Sequence, residues 1–88
     1  MQPHFFRKKE MLVNMNKNRE IQEKQVYLHF KGGCYFVEML AFDSATEEEV
    51  VVYRNLDSKN VWVRPLNEFM DVKETDKGYA YKFTLCEL

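Results

Sequence analysis

An 88-residue chain with 45% hydrophobic and 31% charged residues makes one small globular domain, which buries only about 60–65% of its unfolded surface. No run nears the ~18 apolar residues of a membrane span, no secretory leader pattern is present, and two cysteines, Cys34 and Cys86, exclude a disulfide framework or a zinc cage. The net charge of −1 divides into +4 over residues 1–31 and −5 over residues 32–88, so the main body lacks the positive surface that general phosphate-backbone binding needs. These features imply a cytoplasmic protein with free thiols, no metal and no cofactor.

Residues 1–24 read as an extension. Met11, Leu12 and Met15 recur at helical spacing, and the pattern weakens until Ile21, so a short helix is expected around residues 10–24 with residues 1–9 disordered. Residues 25–88 read as a β domain. Tyr27-Leu28-His29-Phe30-Lys31 alternates and meets Gly32-Gly33, which reads as a two-residue hairpin loop pairing His29 with Phe36 and Leu28 with Val37. That register puts Leu28, Phe30, Tyr35, Val37, Met39 and Ala41 on the core face. Phe36, Leu40 and Phe42 then form an apolar stripe on the other face. Its expected cover is the extension, through Met11, Leu12 and Met15, or a second copy of the chain.

Asp43 to Glu47 is a polar turn, and residues 48–56 form a strand rich in β-branched side chains. A second turn at Asp57-Ser58-Lys59-Asn60 pairs Leu56 with Val61 and Tyr53 with Arg64. Val50, Val52, Leu56, Val61 and Val63 are expected to face the core, and Val51, Tyr53, Asn55, Trp62 and Arg64 to face outward. Pro65 ends the strand and holds Arg64 extended, while Leu66 and Phe69 fit one helical turn onto the core. A last strand alternates with Tyr79, Tyr81, Phe83 and Leu85 inward. Four antiparallel strands, a helical turn and a fifth strand imply a small SH3-like barrel; an open five-stranded sheet is the alternative.

His29-Phe30-Lys31-Gly32, Tyr35, Val37, Ala41, Val51-Val52-Tyr53, Trp62-Val63-Arg64-Pro65 and Phe69 together resemble a family of small bacterial and phage domains of unknown function. Its pattern runs H-[FY]-K-G-x-x-Y-x-V, then V-V-Y, then W-V-R-P-x-x-x-F, and the likeness covers residues 27 to about 71. Leu28 stands where the family often has a basic residue, and Asp43-Ser44-Ala45 where it often has a basic, Ser and acidic stretch. The resemblance implies a bacterial or phage cytoplasmic protein and supplies no activity.

No complete catalytic constellation is present. His29 lacks a neighbouring nucleophile in the expected pairing, Cys34 lacks a reason for a lowered pKa, and Glu47-Glu48-Glu49 reads as a solvated strand entrance. Aromatic rings beside an arginine are the composition of a recognition patch. The sequence therefore points to a non-catalytic binding or accessory module presenting Tyr53, Trp62, Arg64, His29 and Lys31 to a protein or small polar ligand. Phe36, Leu40 and Phe42 are the expected contact of a homodimer. The alternatives are a small hydrolase or transferase using the His29 and Arg64 region, and nucleic-acid binding through the basic arm rather than the barrel.

Overall fold

Runs of β-branched and aromatic residues broken by Asp, Asn and Gly turns produce an almost entirely antiparallel structure. The computed structural model describes residues 4–10 and 19–86. Its strands are β1 (Val26–His29), β2 (Cys34–Phe42), β3 (Glu49–Asn55), β4 (Val61–Pro65), β5 (Val72–Thr75), β6 (Gly78–Tyr81) and β7 (Phe83–Leu85), with a helical turn at Leu66–Phe69. Five strands form one sheet in the order β4-β3-β2-β1-β7, and β5 pairs with β6 as a separate hairpin. Among the described residues no ladder joins β4 to β7. The sheet is therefore open, and the closed barrel expected from the sequence is not formed. The reason lies after the helical turn: the chain makes the β5–β6 hairpin, then adds β7 to the free edge of β1 instead of β4. Among the described residues no helix is long and apolar enough to cross a membrane.

The turns follow their side chains. Asp43 Oδ1 accepts the N–H groups of Ala45 (2.8 Å) and Thr46 (3.1 Å), which holds its carboxyl below the ordinary value. Asn55 Oδ1 accepts those of Asp57 (2.8 Å) and Ser58 (2.9 Å) in the same way. Each turn closes on a residue at positive φ, Glu47 in the first and Lys59 in the second. Gly32 and Gly33 lie in the first hairpin at φ +99° and +88°, as the sequence predicts.

That hairpin is nevertheless out of the expected register. The His29 N–H donates to the Gly33 carbonyl (3.0 Å) and the Gly32 N–H to the His29 carbonyl (2.8 Å), so Phe30, Lys31 and Gly32 form the loop. Tyr27 then pairs with Tyr35 and Leu28 with Cys34. A loop with an odd instead of an even number of residues turns β1 over relative to β2. A bulge between Val37 and Met39 inverts the second half of β2 as well. The core face therefore carries Tyr27, Tyr35, Val37 and Leu40, while Met39 is exposed. The expected stripe is split: Leu40 packs on the core, Phe36 lies on the opposite face under the Arg54 guanidinium, and Phe42 is 71% exposed.

The second hairpin shifts by one residue at each end, pairing Arg54 with Val61 and Tyr53 with Trp62. The two sets of side chains stay as expected, but their directions are reversed. Val51 and Tyr53 are buried, Val61 and Val63 are exposed at 57% and 63%, and of the expected core set Val50 alone is buried. Both faces of β3 are apolar, so alternation alone did not choose between them. The partner rings chose: Tyr53 meets Phe69, Phe83 and Tyr35 edge-on at 5.3–5.6 Å between centroids. The expected single last strand is interrupted at Lys82, whose N–H donates to the Asp71 carbonyl (2.9 Å) and whose carbonyl accepts from Phe30 (2.9 Å). Ala80 is consequently buried, although the continuous strand would have turned it outward.

The extension is built into the domain. Phe6 is buried and pairs with Tyr79 through two 2.7 Å backbone hydrogen bonds, which corrects the expected disorder over residues 4–9. Of the helix expected around residues 10–24, residues 8–10 are helical, 11–18 lie outside the described residues, and 19–25 carry no helix, because Ile21 is anchored in the core and the chain turns at Lys24 with φ 62°. There Glu23 Oε2 accepts the Leu40 N–H (2.8 Å) and the Lys24 N–H donates to the Val37 carbonyl (2.7 Å), serving backbone groups beside the bulge. Arg19 stacks 3.9 Å from the Tyr81 ring and donates to the Phe83 carbonyl (2.7 Å). Met11, Leu12 and Met15, the expected cover, lie outside the described residues.

Gly78 allows the close approach of Phe6. It sits at φ +122°, and a Cβ there would lie 2.8 Å from the Phe6 carbonyl oxygen. Gly78→Ala should cost about 1–3 kcal/mol in urea denaturation. Gly32→Ala meets nothing within 4 Å and should cost less. Equal losses at the two positions would show that the Phe6 strap carries no stability.

Candidate functional site

Strand pairing collects the site on the core-ward face at one end of the sheet. Phe83 of β7 stands opposite His29 of β1, Tyr35 of β2 opposite Asn55 of β3, and Tyr53 opposite Trp62 of β4. Arg64 follows Trp62 on the same face, and the β3–β4 turn brings Ser58. These eight residues enclose a cleft of ≈ 280 Å³. Four of the five residues that the sequence marked for binding line it: His29, Tyr53, Trp62 and Arg64. Lys31 does not. It is exposed in the hairpin loop, its Nζ 5.7 Å from the Phe30 ring centroid.

Tyr53 is 5% exposed, so its ring is core and only its hydroxyl serves the cleft. That hydroxyl accepts a 3.1 Å hydrogen bond from Arg64 Nε. The bond pushes the Arg64 pKa up against the opposing effect of burial, and the guanidinium stays charged. Among the described residues Nη1 and Nη2 have no partner, and no ion pair links Arg64 to Glu68. Trp62 is 52% exposed and forms a wall. Tyr35, half-buried, and Phe83, fully buried, form the floor, their rings edge-on at 5.6 Å.

His29 packs against Phe83 at 4.9 Å and against Phe30 at 4.7 Å. Its Nδ1 accepts the Lys31 N–H (3.2 Å), which places the proton of the neutral ring on Nε2. Burial, then the charges of Arg64, Lys31 and Lys82, hold its pKa below the ordinary histidine value. No hydrogen bond joins His29 to Ser58, whose Oγ accepts from the Asn60 N–H (3.3 Å). Cys34 stands opposite Leu28, on the other face from the cleft, and burial pushes the Cys86 thiol pKa up. Among the described residues no three His, Cys, Asp or Glu side chains cluster as metal ligands.

Sequence reasoning missed Tyr35, Asn55, Ser58 and Phe83 as cleft residues. The Asn55–Ser58 stretch carried a usable signal, since an Asn followed two and three residues later by Asp and Ser favours a turn whose amide side chain stays at the strand end. Phe83 carried none, because its place depends on β7 returning beside β1.

The fold and cleft define a small antiparallel β domain with an aromatic-lined, arginine-edged recess. The model of a family described as a protein of unknown function, DUF1653, matches residues 25–85, and the chain belongs to that family. A crystal structure of a DUF1653 protein from Bordetella bronchiseptica is similar, with 30% sequence identity and a TM-score of 0.66 over 72% of this chain and 85% of that one. Among curated proteins none matches.

The His29 shift has a measurable consequence. With the folded pKa below the unfolded value of about 6.5, the unfolded chain takes up the proton first, so stability falls as pH drops through 6.5 toward the folded pKa. The urea midpoint should therefore fall between pH 7.5 and 5.5, and His29→Gln should flatten that slope. Identical slopes in the two proteins would mean that His29 is not held neutral.

Proposed function

We propose that this chain is a non-catalytic binding module whose cleft captures a small polar ligand or a protruding group of a protein partner. The observation that carries the reading is Arg64. Its Nε is fixed on Tyr53, while Nη1 and Nη2 have no partner among the described residues and lie beside an exposed tryptophan. A guanidinium oriented in advance loses less rotamer freedom when it binds. The cleft volume of ≈ 280 Å³ lies just below the usual range for ligand sites and suits a small molecule or one side chain.

The hydrolase or transferase reading is less well supported. His29 Nδ1 is already engaged by Lys31, and nothing orients a nucleophile toward Nε2. Four strands, a helical turn and a return beside β1 support reading the architecture as an opened relative of SH3-like barrels. That kinship specifies no chemistry. A homodimer, if formed, would use the exposed Met39, Val61 and Val63, which share the outer face with Phe36, rather than one stripe of Phe36, Leu40 and Phe42.

The test is a fragment screen followed by two-dimensional amide NMR. Small polar fragments should shift the His29, Asn55, Trp62 and Arg64 amides together. Arg64→Ala should abolish those shifts while leaving the melting temperature within a few degrees, since one partly exposed hydrogen bond contributes about 1 kcal/mol. Fragment shifts confined to other surfaces, or an Arg64→Ala protein that unfolds, would refute the module.

A further inference from the structure

We propose that the occupant of this cleft is a small anion on a flat apolar body, a carboxylate or other oxyanion attached to an aromatic ring. The inference rests on the binding-module reading and adds the ligand's charge and shape. Every polar side chain of the cleft has a donor to offer, the Tyr35 and Ser58 hydroxyls included. Arg64 offers Nη1 and Nη2. Asn55 has its Oδ1 occupied by the Asp57 and Ser58 N–H groups, so its amide nitrogen remains. Tyr53 accepts from Arg64 and keeps its own hydroxyl proton to give, and His29 presents Nε2–H.

Among the described residues no carboxylate lines the recess, and the one formal charge there is positive. An oxyanion satisfies several such donors at once, whereas a cation would meet only repulsion and further donors. Trp62 and Tyr35 supply ring faces beside those donors, which suits a planar body of about one ring at this volume.

The rest of the surface sharpens the preference. Residues 32–88, which supply most of the sheet, carry a net charge of −5, so Arg64 is a cationic point within an acidic stretch of surface. A second cleft, at ≈ 360 Å³ larger than this one, is lined by Glu47, Glu48 and Glu49 with Phe42. It rejects the same ligand on charge and serves as an internal control.

Trp62 is the only tryptophan in the chain, so its fluorescence reports on the cleft directly. The probes are benzoate, its neutral amide benzamide, and the cationic benzylamine, titrated into the full chain at low salt. Benzoate should saturate the Trp62 signal at least about tenfold more tightly than either of the others, the ordinary size of a charge-assisted contact. Arg64→Gln should erase the difference and Arg64→Lys should restore part of it, because lysine provides the charge without the fork. Glu49→Gln, in the acidic cleft, should leave benzoate binding unchanged.

A free aryl acid and the terminal carboxylate of a peptide ending in an aromatic residue share this chemistry. N-acetylphenylalanine against benzoate tells which source fits better, and tighter binding by either acid supports the inference. Benzamide or benzylamine binding as tightly as benzoate overturns the anion inference and leaves the module standing. Silence of Trp62 toward every probe overturns both. Should Arg64→Gln fail to fold, the comparison of the three probes on the unaltered chain decides.

Discussion

Phe69 lies flat on Phe83, with centroids 4.0 Å apart and planes within 5°. This stack joins the helical turn that leaves β4 to the strand that returns beside β1. It brings together the two ends of a sheet that no backbone ladder closes. Tyr27 and Tyr53 meet Phe69 edge-on at 5.6 and 5.3 Å, and Tyr35 meets Phe83 at 5.6 Å. In a domain this small, with a stability of order 4–13 kcal/mol, a buried phenylalanine worth about 3–5 kcal/mol against alanine supplies a large share. Five of the thirteen Phe, Tyr and Trp side chains of the chain meet there.

The cleft is the surface side of that cluster. Phe83 packs Phe69 on the core side and supports His29 and Tyr35 on the cleft side. Tyr53 is a core ring whose hydroxyl alone reaches the recess, where it fixes Arg64. The donors are therefore held by packed elements rather than by a mobile loop. Such a site keeps its geometry when empty, which favours recognition of a ligand of matching shape over adaptation to many. The coupling also has a cost in evolvability, since changing the floor of the cleft changes the core.

Two irregularities set which side chains reach this face. The odd-numbered loop at Phe30–Gly32 turns Tyr27 and His29 toward the core side, and the bulge after Val37 returns Leu40 to it. The bulge frees backbone groups, and the chain at Glu23 to Gln25 supplies their partners. The segment before β1 is thus a structural part of the sheet. Phe6, on the far side of the β5–β6 hairpin, extends the same role to the opening residues.

The sequence by itself determined the features that depend on near neighbours. Asp43 and Asn55 made their turns, the glycine pair took its positive φ angles, Pro65 ended β4, and Phe69 dropped inward one helical turn later. It also determined that Tyr53, Trp62 and Arg64 share a face, because that relation survives a one-residue slide of the turn between them. Only the tertiary structure decided which face is buried. A period of two says which side chains travel together, but Val50-Val51-Val52-Tyr53 is apolar on both sides, and burial depends on what packs against it. The bulge, the return of β7 to β1, the β5–β6 hairpin with only Val72 as an apolar residue in β5, and the arrival of Phe83 beneath His29 all depend on contacts between residues far apart in the chain. Those contacts are selected by the fit of the aromatic cluster as a whole, and no local pattern encodes that fit.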